Sequence, residues 1–211
     1  MSSFPQHLLE GYRTFTSQRL PTEQSRYRDL SERGQAPEVM VIGCCDSRVS
    51  PEVIFDAGPG ELFVMRNIAN LVPVYQPDAN AHGVSAALEY AVSVLHVKHI
   101  VVLGHAQCGG IRAFIDKIEP LSPGDFIGKW MSMFIKPGEQ VEQRDHETMA
   151  DFTIRIEKAA VFRSLENLMT FPFVRTLVER GELHLHGAYF GVAEGSLFVL
   201  DPVAKEFRSV R

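Results

Sequence analysis

Unbroken apolar runs alternate along this chain with stretches whose apolar residues recur every three or four positions. Phe4, Leu8, Tyr12 and Phe15 fall on one stripe at that spacing, which predicts an amphipathic helix over 5–19. A polar, arginine-bearing stretch follows and ends near Gly34, a residue type that stops helices. Its basic positions, Arg26 to Arg33, predict a solvated face. Val39-Met-Val-Ile-Gly43 is apolar without alternation, the pattern of a strand buried on both faces. Residues 61–66 predict a second strand, and 81–95 a helix with Val84, Leu88, Ala91 and Leu95 on one stripe. His99-Ile-Val-Val-Leu-Gly104 is the clearest buried strand, and a helix from Gly109 is expected to end before Pro120. Residues 121–180 hold proline, glycine and charged helical stretches without a strand signal. Residues 183–192 and 196–200 flank Ala-Glu-Gly as a closing hairpin.

Strands alternating with helices predict βαβ units and a parallel sheet, hence an α/β fold. With no repeat, low-complexity tract or linker, residues 1–211 read as a single domain, with 1–33 an N-terminal helical arm. Composition changes the picture mainly by exclusion. At 45% hydrophobic and 22% charged over 211 residues the chain is no disordered polymer. No run of about 18 apolar residues predicts a membrane span. A net charge of −5 argues against nucleic acid, which wants a basic face. The first ten residues carry neither a basic n-region nor a long apolar run, so no secretory signal is expected and a cytoplasmic location is.

Chemistry enters with the cysteines. Three of them, Cys44, Cys45 and Cys108, do not make a disulfide framework in a chain of this size. Instead they cluster where two apolar strands end in polar turns, Gly43-Cys-Cys-Asp-Ser-Arg48 and Gly104-His-Ala-Gln-Cys-Gly-Gly110. Sites in open parallel sheets form at the carboxyl ends of strands, so the two turns are expected to meet. Cys44, His105 and Cys108 would then offer two thiolates and an imidazole, a zinc set with one position left for water or Asp46. Asp46 and Arg48, two residues apart on an extended turn, are placed to pair, which would hold the carboxylate off the metal. Cys45 is expected to be a spare buried thiol. His184 and His186 share a strand face and could chelate a metal, but read more simply as partly exposed strand residues; His82, His96 and His99 suggest no role.

Cys44-Cys-Asp-Ser-Arg48 with His105-Ala-Gln-Cys108 resembles the signature of the β-class carbonic anhydrases. The similarity continues through Pro59-Gly-Glu-Leu-Phe63, Arg66-Asn-Ile-Ala-Asn70, Ala87-Leu-Glu-Tyr90 and, more loosely, Leu185 to Phe190. The resemblance implies a mostly parallel central sheet flanked by helices. It implies reversible hydration of carbon dioxide to bicarbonate and a proton by a zinc-bound hydroxide, with one Zn2+ per chain on Cys44, His105 and Cys108. Asp46 and Arg48 would be the orienting pair, and Gln35, Phe63, Tyr90 and Gly109 would lie against substrate. It further implies a homodimer or homotetramer with pockets at subunit interfaces; the apolar N-terminal helix is a candidate arm over a partner, and two thiolates, which donate more charge to zinc than neutral imidazoles do, predict activity that rises into mildly alkaline pH. Val41 and Phe190 stand where one β-class group has the tryptophan and tyrosine of a non-catalytic bicarbonate site, so the subtype without that site is expected. Two rival functions share the zinc ligands: carbon disulfide hydrolysis, and a non-catalytic zinc module. A redox role for adjacent Cys44 and Cys45 is disfavoured by the strain of such a disulfide.

Overall fold

The computed structural model describes residues 4–116, 120, 123–135 and 141–210. Contacts divide the chain into two compact units, Met1–Ala36 and Pro37–Arg211.

The first unit is helical. Helix α1 (Gln6–Thr14) passes through a π-helical turn at Phe15–Arg19 into α2 (Leu20–Arg33), so the helical path runs well beyond the expected end at 19. Pro21 does not break it, because it sits in the first turn of α2, where its missing N–H is no loss. Gly34 ends the path at a φ of 79°, as its residue type foretold. Phe15 meets Tyr27 edge to face at 6.0 Å, while Phe4, Leu8 and Tyr12 remain exposed.

The second unit is built on a six-stranded sheet, β1 (Val39–Cys44), β2 (Leu62–Asn67), β3 (His99–His105), β4 (His184–Gly191), β5 (Ser196–Asp201) and β6 (Glu206–Ser209). The spatial order is β2-β1-β3-β4-β5-β6. The first four strands are parallel, and β4-β5-β6 form an antiparallel meander. The expected closing hairpin is therefore β4–β5, and it carries a sixth strand that the sequence reading lacked. The helices are α3 (Pro51–Ile54), α4 (Gly83–Glu89), α5 (Gly109–Ile115), α6 (Phe126–Ser132), α7 (Met149–Leu168) and α8 (Pro172–Glu179). Between the predicted ends 81 and 95, α4 gives way to a π-helical turn at Tyr90–Val94. Helix α5 stops at Ile115; residues 117–119, over which it was expected to continue, lie outside the described residues.

The main core lies on one sheet face, where Met40, Ile42, Ile100 and Val102 pack against Leu88, Val161, Leu168, Phe171 and Val174. A second cluster caps the carboxyl ends of β1 and β3 and gathers Cys44, Cys108, Ala69, Ile111, Met131, Phe152 and Ile156. Helix α7 serves both clusters. Thr148 caps its start by accepting the Asp151 N–H at 3.1 Å, and its 20 residues lie along β3 and β4. The close approach depends on Gly104, where a Cβ would come within 2.6 Å of Val161 Cγ2.

Candidate metal centre

Three elements bring the ligand atoms together. Cys44 is the last residue of β1, His105 the last of β3, and Cys108 precedes the first turn of α5. All three are buried, His105 to 1% exposure. One sulfur from each cysteine and one ring nitrogen of His105 lie within 4.8 Å of one another, the only such cluster among the described residues. Sulfurs bound at about 2.3 Å to a tetrahedral zinc stand about 3.8 Å apart; here Cys44 Sγ and Cys108 Sγ are 4.0 Å apart.

The imidazole is prepared in the same sense. His105 Nδ1 lies 2.9 Å from the Ala106 carbonyl, which can only accept, so the proton sits on Nδ1 and Nε2 carries the lone pair. That Nε2 is buried without a hydrogen-bond partner. A buried unpaired acceptor costs about 1–3 kcal/mol, and a metal ion in the pocket would relieve that cost. The thiols point to a cation as well. The bond between them draws the Cys44 thiol below its usual range and, with burial, pushes Cys108 above it. The two thiols thus oppose each other's ionisation, an opposition that a divalent cation between them would relieve. The donor set fits zinc.

Backbone and polar contacts hold the two ligand turns. Gln107 adopts a φ of 57° between the His105 and Cys108 positions, a left-handed conformation that folds Cys108 back toward the strand end. The Cys108 N–H donates to Glu157 Oε1 at 2.9 Å, and Tyr189 Oη donates to Glu157 Oε2 at 2.6 Å. Burial raises the pKa of Glu157 despite these donors. Arg66 reaches the other turn, donating to the carbonyls of Cys44 at 2.8 Å and Asp46 at 2.7 Å. The sequence reading missed Glu157 and Tyr189 and gave Arg66 no task. A charged residue on the buried stripe of α7 was the available signal for Glu157. Next to the site, a Cβ on Gly110 would come 2.5 Å from Ile68 Cγ2, whereas one on Gly109 would meet nothing within 4 Å.

Asp46 and Arg48 pair as their spacing suggests. Arg48 Nε and Nη2 donate to the two carboxylate oxygens at 2.9 and 2.7 Å, and the Arg48 N–H adds a third bond at 3.0 Å. The Arg48 bonds hold the Asp46 carboxyl well below the usual carboxylate range. Arg48 also donates to the Gln107 carbonyl at 3.1 Å, linking the two ligand turns. Asp46 is not one of the clustered ligands.

Other sequence expectations fare differently. Cys45 is exposed, not buried: its N–H bonds the Asn67 carbonyl at 2.9 Å, which continues the strand, so its side chain leaves opposite to that of Cys44. Phe63 and Tyr90 do come together, with ring centroids 5.9 Å apart. Phe63 packs against the main core while the candidate ligands Cys44 and Cys108 belong to the second cluster. Gln35 is exposed and belongs to the N-terminal unit. A cavity of about 680 Å³ lined by Phe114, Ile127, Met131 and Phe152 holds none of the three ligands.

The sequence profile of the family described as "Carbonic anhydrase" matches residues 39–197. Over 203 residues the chain is 35% identical to a carbonic anhydrase of Pseudomonas aeruginosa, covering 96% of this chain and 90% of that protein. It is 34% identical to beta carbonic anhydrase 3 of Arabidopsis thaliana, covering 90% and 74%. The solved structure of the β-carbonic anhydrase CcaA superposes with a TM-score of 0.87 at 28% identity, over 97% of this chain and 98% of that one. A tetrameric β-carbonic anhydrase of Sordaria macrospora gives 0.78 at 30% identity, over 92% and 95%.

Proposed function

The chain belongs to the carbonic anhydrase family, in its β-class, and on that premise we propose how its residues divide the reaction. The enzyme is a zinc-dependent carbonate dehydratase that interconverts carbon dioxide with bicarbonate and a proton. The observation that carries the division of labour is the buried group of two sulfurs and one singly oriented imidazole. Cys44, His105 and Cys108 hold the metal. Zinc there supplies a Lewis acid that brings a water's pKa toward neutrality and so provides a nucleophile near physiological pH.

Asp46 stands as a hydrogen-bond acceptor beside the ligand turns, where it would orient the nucleophile toward the carbon of the substrate. Its low pKa keeps it an acceptor through the working range. Arg48 is a positioning residue: by occupying both carboxylate oxygens it keeps Asp46 from becoming a fourth ligand, which supports the subtype with an open metal position. Phe63, Tyr90 and Gly109 line the substrate pocket, the two rings as apolar walls for a small apolar molecule. Tyr90 is 45% exposed and paired with Phe63, which supports a wall that a second subunit completes. We read residues 1–33 as an arm of one domain, its exposed Phe4, Leu8 and Tyr12 covering a partner in a homodimer or homotetramer. Carbon dioxide and bicarbonate are the small-molecule partners. Three free thiols, one of them exposed, support a cytoplasmic setting; no described helix is long and apolar enough to cross a membrane.

The test is Asp46→Asn with metal analysis. We expect zinc content to stay at one per chain while carbon dioxide hydration slows about 10²–10⁴-fold. Unchanged turnover would remove Asp46 from the mechanism.

A further inference from the structure

A second group of metal-ligating side chains stands at the other end of the sheet. Strands β3 and β4 start on histidines, and their parallel register sets His99 opposite His184 and Val101 opposite His186. Residues in register, and residues two apart on one strand, share a sheet face, so all three imidazoles stand on the same side. The His99 ring stacks on that of His184 with centroids 5.4 Å apart and lies 5.2 Å from that of His186. His99 Nδ1 and His186 Nε2 are 3.1 Å apart.

We propose that His99 and His186, flanked by His184, form a second metal site, one that takes a borderline divalent cation such as zinc through imidazole nitrogens. The bite is right: nitrogens bound at about 2.0–2.1 Å to one metal, at angles between square and tetrahedral, stand about 2.9–3.4 Å apart. One proton now bridges the two nitrogens. Metal binding would take that proton to the far nitrogen of its own ring, which leaves both facing nitrogens as ligands.

The frame is preorganised, because both rings stand on paired strands of the central sheet rather than on loops. The N–H groups of Lys98 and His99 both bond the Glu38 carbonyl, and the His184 N–H bonds the Lys98 carbonyl, which fixes the start of both strands. Burial, then His99 and His184, keep the pKa of His186 below the ordinary histidine value, a direction that favours the lone pair a ligand needs. His184 and His186 are exposed and His99 half-buried, which leaves room for waters to complete the coordination. Three imidazoles on one face, two of them in direct contact, mark this cluster off from the scattered remainder, His7, His82, His96 and His146.

The site is separable from the catalytic one. At about 3.3 Å of rise per residue, His99 lies roughly 20 Å from His105 along β3. The experiment is equilibrium dialysis of the zinc-loaded enzyme against free zinc over about 1–100 µM, with metal analysis and histidine ring NMR. We expect wild type to take a second zinc per chain. The His99 and His186 ring resonances should shift, and those of His7, His82, His96 and His146 should not. His186→Gln, a change at an exposed position, should weaken the second binding about tenfold or more while the first zinc and hydration stay as in wild type. His99→Gln should do the same. One zinc per chain throughout the range overturns the proposal, and so does a second zinc held equally well by His99→Gln and His186→Gln, which would place it elsewhere.

Discussion

His105 and His99 occupy opposite ends of one strand, and the protein treats the two rings differently. His105 is 1% exposed, its Nδ1 is pinned to the Ala106 carbonyl and its Nε2 has no partner. His99 is half-buried, and its Nδ1 already bonds His186. The difference shows how a candidate metal ligand is prepared here. The polypeptide withholds a partner from a buried lone pair, fixes the tautomer from the other side, and converges two thiols from separate elements on the same point. Histidines that satisfy one another at a sheet margin bear no such cost, so a metal there would be a guest and not a requirement.

The largest effect should come from exchanging the two positions as targets. His105→Asn should reduce hydration to the uncatalysed level and release the zinc, whereas His99→Asn should leave both as in wild type; equal losses would erase the distinction. The support beneath the ligands comes next. Glu157→Gln replaces with an amide the carboxyl group that accepts both the Cys108 N–H and the Tyr189 hydroxyl, and zinc affinity should fall about 10–100-fold, read by competition with a chelator. An unchanged affinity would make Glu157 merely a buried polar residue.

The smallest effect concerns acid stability. The folded-state pKa of Asp46 is depressed, so its pairing with Arg48 stabilises fully above the unfolded value of about 4 and is lost as pH falls from there toward the folded value. The Tm difference between wild type and Asp46→Asn should be constant from neutral pH down to about 4 and shrink below it. A difference that persists into stronger acid would show that the pair contributes nothing through ionisation. The effect is small because Arg48 is exposed.

Much of this was legible in the residues because it rests on short, strong patterns. Unbroken apolar runs marked β1 and β3, and the resemblance of their two trailing turns to a known signature named the ligands. What was illegible has physical causes. Helix α7 buries Glu157, Ser164 and Asn167 on its inner stripe, so its hydrophobic pattern is blurred although each polar group is satisfied there. Strand β6 is four residues long with only Phe207 turned inward, too little for periodicity to register. Cys45 looked like a core residue by type, but strand alternation at Cys44 sends it outward. The contact between His99 and His186 spans 87 positions and follows from strand register alone.

If Cys44, His105 and Cys108 hold the zinc that hydrates carbon dioxide, removing one of them must remove both metal and activity. Stopped-flow hydration by the zinc-loaded enzyme in mildly alkaline buffer, beside Cys108→Ala with its metal content measured, tests it most directly. We expect fast hydration by the wild type, and loss of both zinc and hydration in the variant. Zinc bound to the wild type with no hydration, or full activity in Cys108→Ala, would contradict it.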